Sequence, residues 1–383
     1  MSLLVLSASD VARVTSRFHP DDLVDLMAQV FHSLSQSHKW TSSGISQPHR
    51  VALPMENHTS LFMPSRMASV GTTIKVVSVP TSAAPQAVKE RGLPASTLVL
   101  DENSGRVKAI VNAGRLTALR NASGSLLSAR LLNSPASPPQ VLLTVGAGAQ
   151  ISAHVSLFLS SYPTIHKCIL INRSLSSRFS ALSLALREKF PNVEFEVGIL
   201  PSVPNATAES QQREVVDMEK AVKNANIIIT ATGSTTPFFP SAYVSPGTHL
   251  CLIGSYTPAM HEIDSDLVKR AGRVVVDSRD ACLSEAGELI SAGLGPSDLV
   301  ELGELVNYTQ SSERGAATIT RSWVPLDEKI DAVRKSGDIT IFKSVGVGIQ
   351  DVAIACAVVA LAEKEDIGVL VPDYDETDGT IPL

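Results

Sequence analysis

Val141-Leu-Leu-Thr-Val145-Gly146-Ala-Gly148-Ala149-Gln150-Ile151-Ser-Ala-His154 is the stretch on which the fold turns. Val141 to Val145 has the length and apolar character of a buried strand, a glycine turn follows at Gly146 and Gly148, and a helix is expected to begin near Ala149. That order is the entry to a dinucleotide-binding unit. Gly146 permits the tight turn and Gly148 lets backbone N–H groups approach a pyrophosphate. The new helix N-terminus, with Ala149 and Gln150 in its first turn, favours the negative charge. The third fingerprint position holds Ile151 where Gly or Ala is usual, so helix and strand are expected slightly further apart than in the ideal motif.

About 20 residues beyond the glycines, where the second strand of such a unit ends, the chain runs Cys168-Ile-Leu-Ile-Asn172-Arg173-Ser174. No acidic residue stands there to hold a ribose 2′-hydroxyl. Asn172, Arg173 and Ser174 instead offer hydrogen bonds and one fixed positive charge, which suits a 2′-phosphate, so NADP is favoured with NAD as the alternative. Further short apolar runs at Val193 to Val197, Ile227 to Thr230, Leu250 to Ile253 and Val274 to Val276 alternate with helical segments. That rhythm implies an α/β, doubly wound parallel sheet of the Rossmann type. Two of these strands end on small residues, Thr230-Ala-Thr232-Gly233 and Ile253-Gly-Ser255, where a dinucleotide needs close approach.

A chain of 383 residues exceeds one ordinary core, so two domains are expected. With 44% hydrophobic and 18% charged residues it can fill both and is not a disordered polymer. The net charge of −6, without basic runs, argues against nucleic acid or an anionic membrane as partner. The opening MSLLVLSASD has no basic segment before its apolar run and does not resemble a signal peptide, and Val352 to Ala362 is too short to span a bilayer. Cys168, Cys251, Cys282 and Cys356 form no CxxC pair, so neither a disulfide framework nor a metal site is expected. A cytoplasmic location is the simplest.

On the N-terminal side, Pro20 opens a helix with Leu23, Leu26, Met27, Val30, Phe31 and Leu34 at helical spacing. Strands are expected at Leu61 to Met63, Thr72 to Val79, Thr97 to Asp101 and Val107 to Val111, the last two separated by the turn Asn103-Ser-Gly105, and together they predict an antiparallel sheet. From Arg115 to Leu132 the period becomes helical, and Arg120 falls within the apolar stripe. An arginine facing a core needs an anion, either a protein carboxylate or a bound carboxylate or phosphate. Ser134 to Gln140, with two adjacent prolines, marks a linker into the glycine strand. Pro201 to Gln212 and the polar stretch from Tyr308 to Lys335 are expected on the surface. Ile339 to Phe342 reads as a strand, and Gln350 to Lys364 as a long apolar helix. Both are expected to return to the first domain. The expected domains are therefore an α+β domain from both chain ends, 1–133 with 336–383, and a Rossmann domain over 140–335.

Six stretches in order resemble the ornithine cyclodeaminase and mu-crystallin family. They are GTTIKVVSVP (71–80), GRLTALRNASGSLLSA (114–129), VGAGAQ (145–150), IIITATGSTTP (227–237), VSPGTHLCLIGSYTPAMHEID (244–264) and ITIFKSVGVGIQD (339–351). The resemblance implies a nicotinamide cofactor acting on a small amino or imino acid, and a homodimer formed through the first domain. Carried over by position, Arg50 in SQPHRVALP, Lys75 and Arg120 match the residues that hold the substrate carboxylate, and Ser344 joins the cofactor-binding set. Two departures stand out. Asn121 replaces the threonine that usually follows the helix arginine, and Tyr256 replaces the aspartate that follows the strand-end glycines in cyclodeaminases and related alanine dehydrogenases.

These readings favour an NAD(P)H-dependent reductase of a small, cyclic 2-imino acid or ketimine. Arg50 and Arg120 would clamp the carboxylate, Lys75 would add charge or protonate the nitrogen, and Tyr256 would line the substrate pocket. The alternatives are an ornithine cyclodeaminase using bound NAD, and a protein that retains NADP and a small ligand without turnover.

Overall fold

The computed structural model describes residues 2–37, 44–200, 215–311 and 320–375. The segment Pro201 to Gln212, expected as a surface loop, lies outside them. The chain forms two compact units, Met1–Arg120 with Val347–Leu383, and Asn121–Gly346.

In the first unit one sheet runs in the order Val369–Val371, Leu3–Leu6, Val107–Asn112, Ala95–Leu100, Gly71–Pro80, His58–Met67, Ile45–Ser46, with Val51–Pro54 also paired to His58–Met67. All neighbours are antiparallel except Leu3–Leu6 with Val107–Asn112. The opening apolar run, Leu3–Leu6, is thus a strand. Helix Gly348–Lys364 packs on the two longest strands and on helix Pro20–Ser37. Its near-continuous apolar sequence fits that position, because Ile349 to Ala355 are all buried.

The second unit is built on an eight-stranded sheet in which every pairing is parallel. Its order is Glu194–Ile199, Lys167–Asn172, Val141–Val145, Ile227–Thr230, His249–Leu252, Thr340–Lys343, Val274–Val276, Leu299–Glu301. Strand order reverses at Val141–Val145, the glycine strand, which makes it the topological switch point. The expected fold class, a Rossmann sheet domain plus an α+β domain, is what the chain adopts.

One expectation is corrected. The run Ile339 to Phe342 does not return to the first domain; as Thr340–Lys343 it lies between His249–Leu252 and Val274–Val276 in the parallel sheet. All four of its residues are buried, the pattern of a strand covered on both faces. The compact-unit boundary falls at Arg120, within helix Leu116–Leu132, and not at the linker after residue 133. The polar stretch after Tyr308 holds a hairpin, Val306–Ser311 with Thr320–Pro325, and helix Asp327–Arg334. The Arg334 guanidinium donates to the carbonyl oxygens of Leu131, Leu132 and Asn133 at 2.7–3.1 Å, closing the C-terminus of helix Leu116–Leu132.

Two buried histidines bind that helix into the unit. His154 Nδ1 lies 2.7 Å from the Gln150 carbonyl oxygen, so it carries the proton, and Nε2 accepts from Ser125 Oγ at 2.9 Å. Ser128 gives its own proton to the Ser125 carbonyl, so His249 Nε2 donates to Ser128 Oγ at 3.2 Å while Nδ1 accepts from Thr340 Oγ1 at 2.8 Å. Burial pushes His154 down to about 4 and His249 down to about 3. Both fold as neutral rings, whereas an unfolded chain titrates them near 6.5. Stability is therefore complete above about pH 6.5 and is lost as the pH falls through the window below it, by about 2 kcal/mol per ring at pH 5. Urea midpoints at pH 7.5 and pH 5 should show the drop, and His249→Gln should shrink it. Equal midpoints for the unaltered protein would refute the assignment.

Candidate active site

Lys75 sits on strand Gly71–Pro80, an interior strand of the first unit's sheet, and is 3% exposed. Lys75 is therefore not a charge that guards a sheet edge, which would lie in solvent on an edge strand. Its Nζ meets Asp351 Oδ2 at 2.5 Å, and Arg120 Nε reaches the other oxygen of the same carboxylate at 3.3 Å. Arg120 also donates to Gln350 Oε1, which in turn accepts the Val347 N–H at 3.1 Å at the start of helix Gly348–Lys364. Gln350 is fully buried, Asp351 nearly so, and Asn121, beside Arg120, is 7% exposed.

The electrostatics follow from this crowding. Burial lowers the Lys75 pKa, which Asp351 opposes and which Arg120 and, less strongly, Arg50 reinforce. Burial alone would raise Asp351, but Arg120 and Lys75 together outweigh it and hold the carboxyl below its ordinary value. Two buried cations thus converge on one buried anion. Arg50, exposed ahead of strand Val51–Pro54, adds a third positive charge within electrostatic reach of Lys75. Such a cluster can receive a carboxylate by bidentate and charge-assisted hydrogen bonds.

Sequence reasoning required an anion for Arg120 but did not find Asp351 or Gln350. The pair opens an apolar helix, where an acid ordinarily does no more than favour the helix dipole. The available signal was Arg120 itself.

In the second unit the expected cofactor residues gather at the carboxyl ends of adjacent strands. Gly146 has φ +129°, and a Cβ there would lie 2.9 Å from the Ala231 carbonyl oxygen and 3.1 Å from Ile151, so only glycine fits. Its N–H donates to the Ile171 carbonyl at 2.8 Å, which brings the turn beside Asn172. Gly148 is the N-cap of helix Ala149–Ser161, with no side-chain cap and no heavy atom within 4 Å of where its Cβ would stand. Gln150 Oε1 is buried without a hydrogen-bond partner. An open space at an uncapped helix N-terminus, with backbone N–H groups as donors, fits a pyrophosphate, whereas the Gln150 amide oxygen, an acceptor, needs a donor such as a hydroxyl. Arg173 and Ser174 are exposed just past the second strand, where Asn172 Nδ2 donates to the Ser174 carbonyl at 2.9 Å.

Thr232 and Gly233 follow strand Ile227–Thr230, and Tyr256, 42% exposed, lies beyond strand His249–Leu252. Ser344 is buried and its hydroxyl donates to Asp277 Oδ2 at 2.7 Å, the same oxygen that receives the Gly346 N–H. Ser344 therefore braces the turn after strand Thr340–Lys343. Beneath these strand ends lie Glu262, Glu288 and Lys343, all fully buried and none singled out by the sequence. Among the described residues no helix is long and apolar enough to cross a membrane.

The profile of the ornithine cyclodeaminase/mu-crystallin family matches residues 7–365. The chain is 28% identical over 294 residues to the ketimine reductase mu-crystallin of Mus musculus, covering 76% of this chain and 84% of that one. It is 31% identical over 272 residues to the Delta(1)-pyrroline-2-carboxylate reductase of Paracoccus denitrificans (strain Pd 1222), covering 69% and 73%. Among solved structures, the fold matches Thermococcus litoralis Delta(1)-pyrroline-2-carboxylate reductase in complex with NADH and L-proline. That match has a TM-score of 0.72 at 22% identity, over 96% of this chain and all of the other.

Proposed function

The chain belongs to the ornithine cyclodeaminase/mu-crystallin family, and from that premise we propose that it is a homodimeric, NADPH-dependent reductase of a small, cyclic 2-imino acid or ketimine. The observation that carries the reading is the buried convergence of Lys75 and Arg120 on Asp351. Buried cations are expensive to keep unless an anion pairs with them; Asp351 is one such anion, and a ligand carboxylate is a second that their geometry suits. Arg120, with Arg50 closing from solvent, orients the substrate carboxylate. Lys75, whose proton is loosened by burial, would add charge or protonate the imine nitrogen. Gly146, Gly148, Ala149 and Gln150 would hold the pyrophosphate, with Thr232 and Gly233 at the neighbouring strand end. The cofactor, when bound, supplies the hydride. The test is NADPH consumption with five- and six-membered cyclic imino acids. No consumption, or robust ammonia release from ornithine with catalytic NAD, overturns the proposal.

Arg173 sets the cofactor preference in this reading, through a charge-assisted contact to the 2′-phosphate. Arg173→Ala should remove most of the preference for NADPH over NADH, about 2 kcal/mol or roughly thirtyfold in the ratio of dissociation constants. Equal affinities for the two cofactors in the unaltered protein would place the preference elsewhere or nowhere.

A further inference from the structure

Glu262 is fully buried between the carboxyl ends of two neighbouring parallel strands. Its Oε1 accepts the Thr232 N–H at 2.8 Å and the Thr232 hydroxyl at 3.2 Å, and its Oε2 accepts the Gly254 N–H and the Thr230 hydroxyl, each at 2.8 Å. Each oxygen thus serves one backbone donor that cannot turn away. The loops themselves touch: a Cβ on Gly254 would lie 2.0 Å from the Thr232 carbonyl oxygen and 2.5 Å from Glu262 Oε1. Two further bonds strap the segment down, from the His261 N–H to the Ser234 carbonyl at 2.8 Å and from the Phe238 N–H to the Glu262 carbonyl at 3.1 Å. Burial raises the Glu262 pKa above the ordinary carboxylate value; Lys343 and the bonds from Thr232 and Thr230 oppose that rise, and Glu288, 3.0 Å from Lys343, adds to it.

A buried carboxylate is a costly way to join two loops when an apolar contact would serve stability as well. Its position suggests what it is for, since parallel sheets of this type take their ligands at the strand carboxyl ends. We infer that Glu262 is a positioning residue that clamps the Thr232–Gly233 and Gly254–Tyr256 loops together and so sets the shape they offer to a bound nicotinamide dinucleotide. The inference rests on the cofactor part of the function proposed above. An amide cannot replace the carboxylate, because Glu262→Gln would turn an NH2 group toward a backbone N–H.

The test is the dissociation constant of NADPH for the full chain, read from the fluorescence of the bound reduced cofactor. Glu262→Gln should raise it about tenfold, and the milder Thr230→Val, which removes one hydroxyl donor, about threefold. At saturating NADPH the KM for the imino acid should change by less than the NADPH dissociation constant does, because the carboxylate bonds Thr230, Thr232 and Gly254 directly and reaches Tyr256 only through the loop. Unchanged NADPH binding in both variants overturns the inference. So does a parallel loss of cofactor affinity, imino-acid KM and thermal midpoint, which would mark Glu262 as merely structural. If the unaltered protein binds NADPH but reduces no imino acid, the reductase reading fails and the binding measurements still decide Glu262. If it binds neither NADPH nor NADH, both fall.

Discussion

Asp351→Ala should destabilise the protein by about 3–5 kcal/mol, the scale on which breaking a buried ion pair leaves an uncompensated charge. Here the loss takes the same carboxylate from two cations at once, since Lys75 and Arg120 share it at 2.5 and 3.3 Å with almost no access to water. They would face each other across the gap, and Lys75 would shed its proton more readily still, because the group that opposes its burial would be gone. Asp351→Asn keeps the volume and should recover only part of the loss. Urea unfolding measures it. A change below about 1 kcal/mol would mean that water reaches the cluster and that the pairs are worth no more than surface ones.

Arg120→Leu should behave differently although it removes a member of the same cluster. Asp351 keeps Lys75 at 2.5 Å, so the remaining pair is neutral, and the leucine suits the apolar stripe of helix Leu116–Leu132. The fold should therefore survive. Catalysis should not, because the guanidinium is assigned to the substrate carboxylate: kcat/KM is expected to fall about a hundredfold, about 2.7 kcal/mol of transition-state binding. Circular dichroism separates the two consequences. Normal turnover by a folded variant would make Arg120 structural and place the carboxylate elsewhere.

What could be read from the sequence was whatever is local. The strand, glycine turn and helix at residues 141–154 depend on neighbours a few positions apart, and the structure shows why Gly146 is required by placing Ala231 and Ile151 around it. The need of Arg120 for an anion was equally local, since it follows from one charge in an apolar stripe. Which anion was not, because Asp351 is 231 positions away and only the packing of helix Gly348–Lys364 brings it near. Glu262 was hidden for the same reason: in Met260-His-Glu262-Ile-Asp a single acid looks like an ordinary solvated loop residue until the sheet closes over it. The misplacement of Thr340–Lys343 has a related cause. Four buried residues identify a strand but do not say which sheet it enters.

That strand also has a consequence for how the protein is made. During synthesis, Val274–Val276 and Leu299–Glu301 emerge well before Thr340–Lys343, which among the described residues is the strand that links them to His249–Leu252 and the rest of the parallel sheet. Until residue 343 has left the ribosome, the sheet can exist only as a five-stranded fragment and a detached pair, each with an unpaired edge. The other unit waits longer, for helix Gly348–Lys364 to cover its strands. Most of the chain must therefore emerge before either unit can close, and until then those edges are open to pairing with other chains.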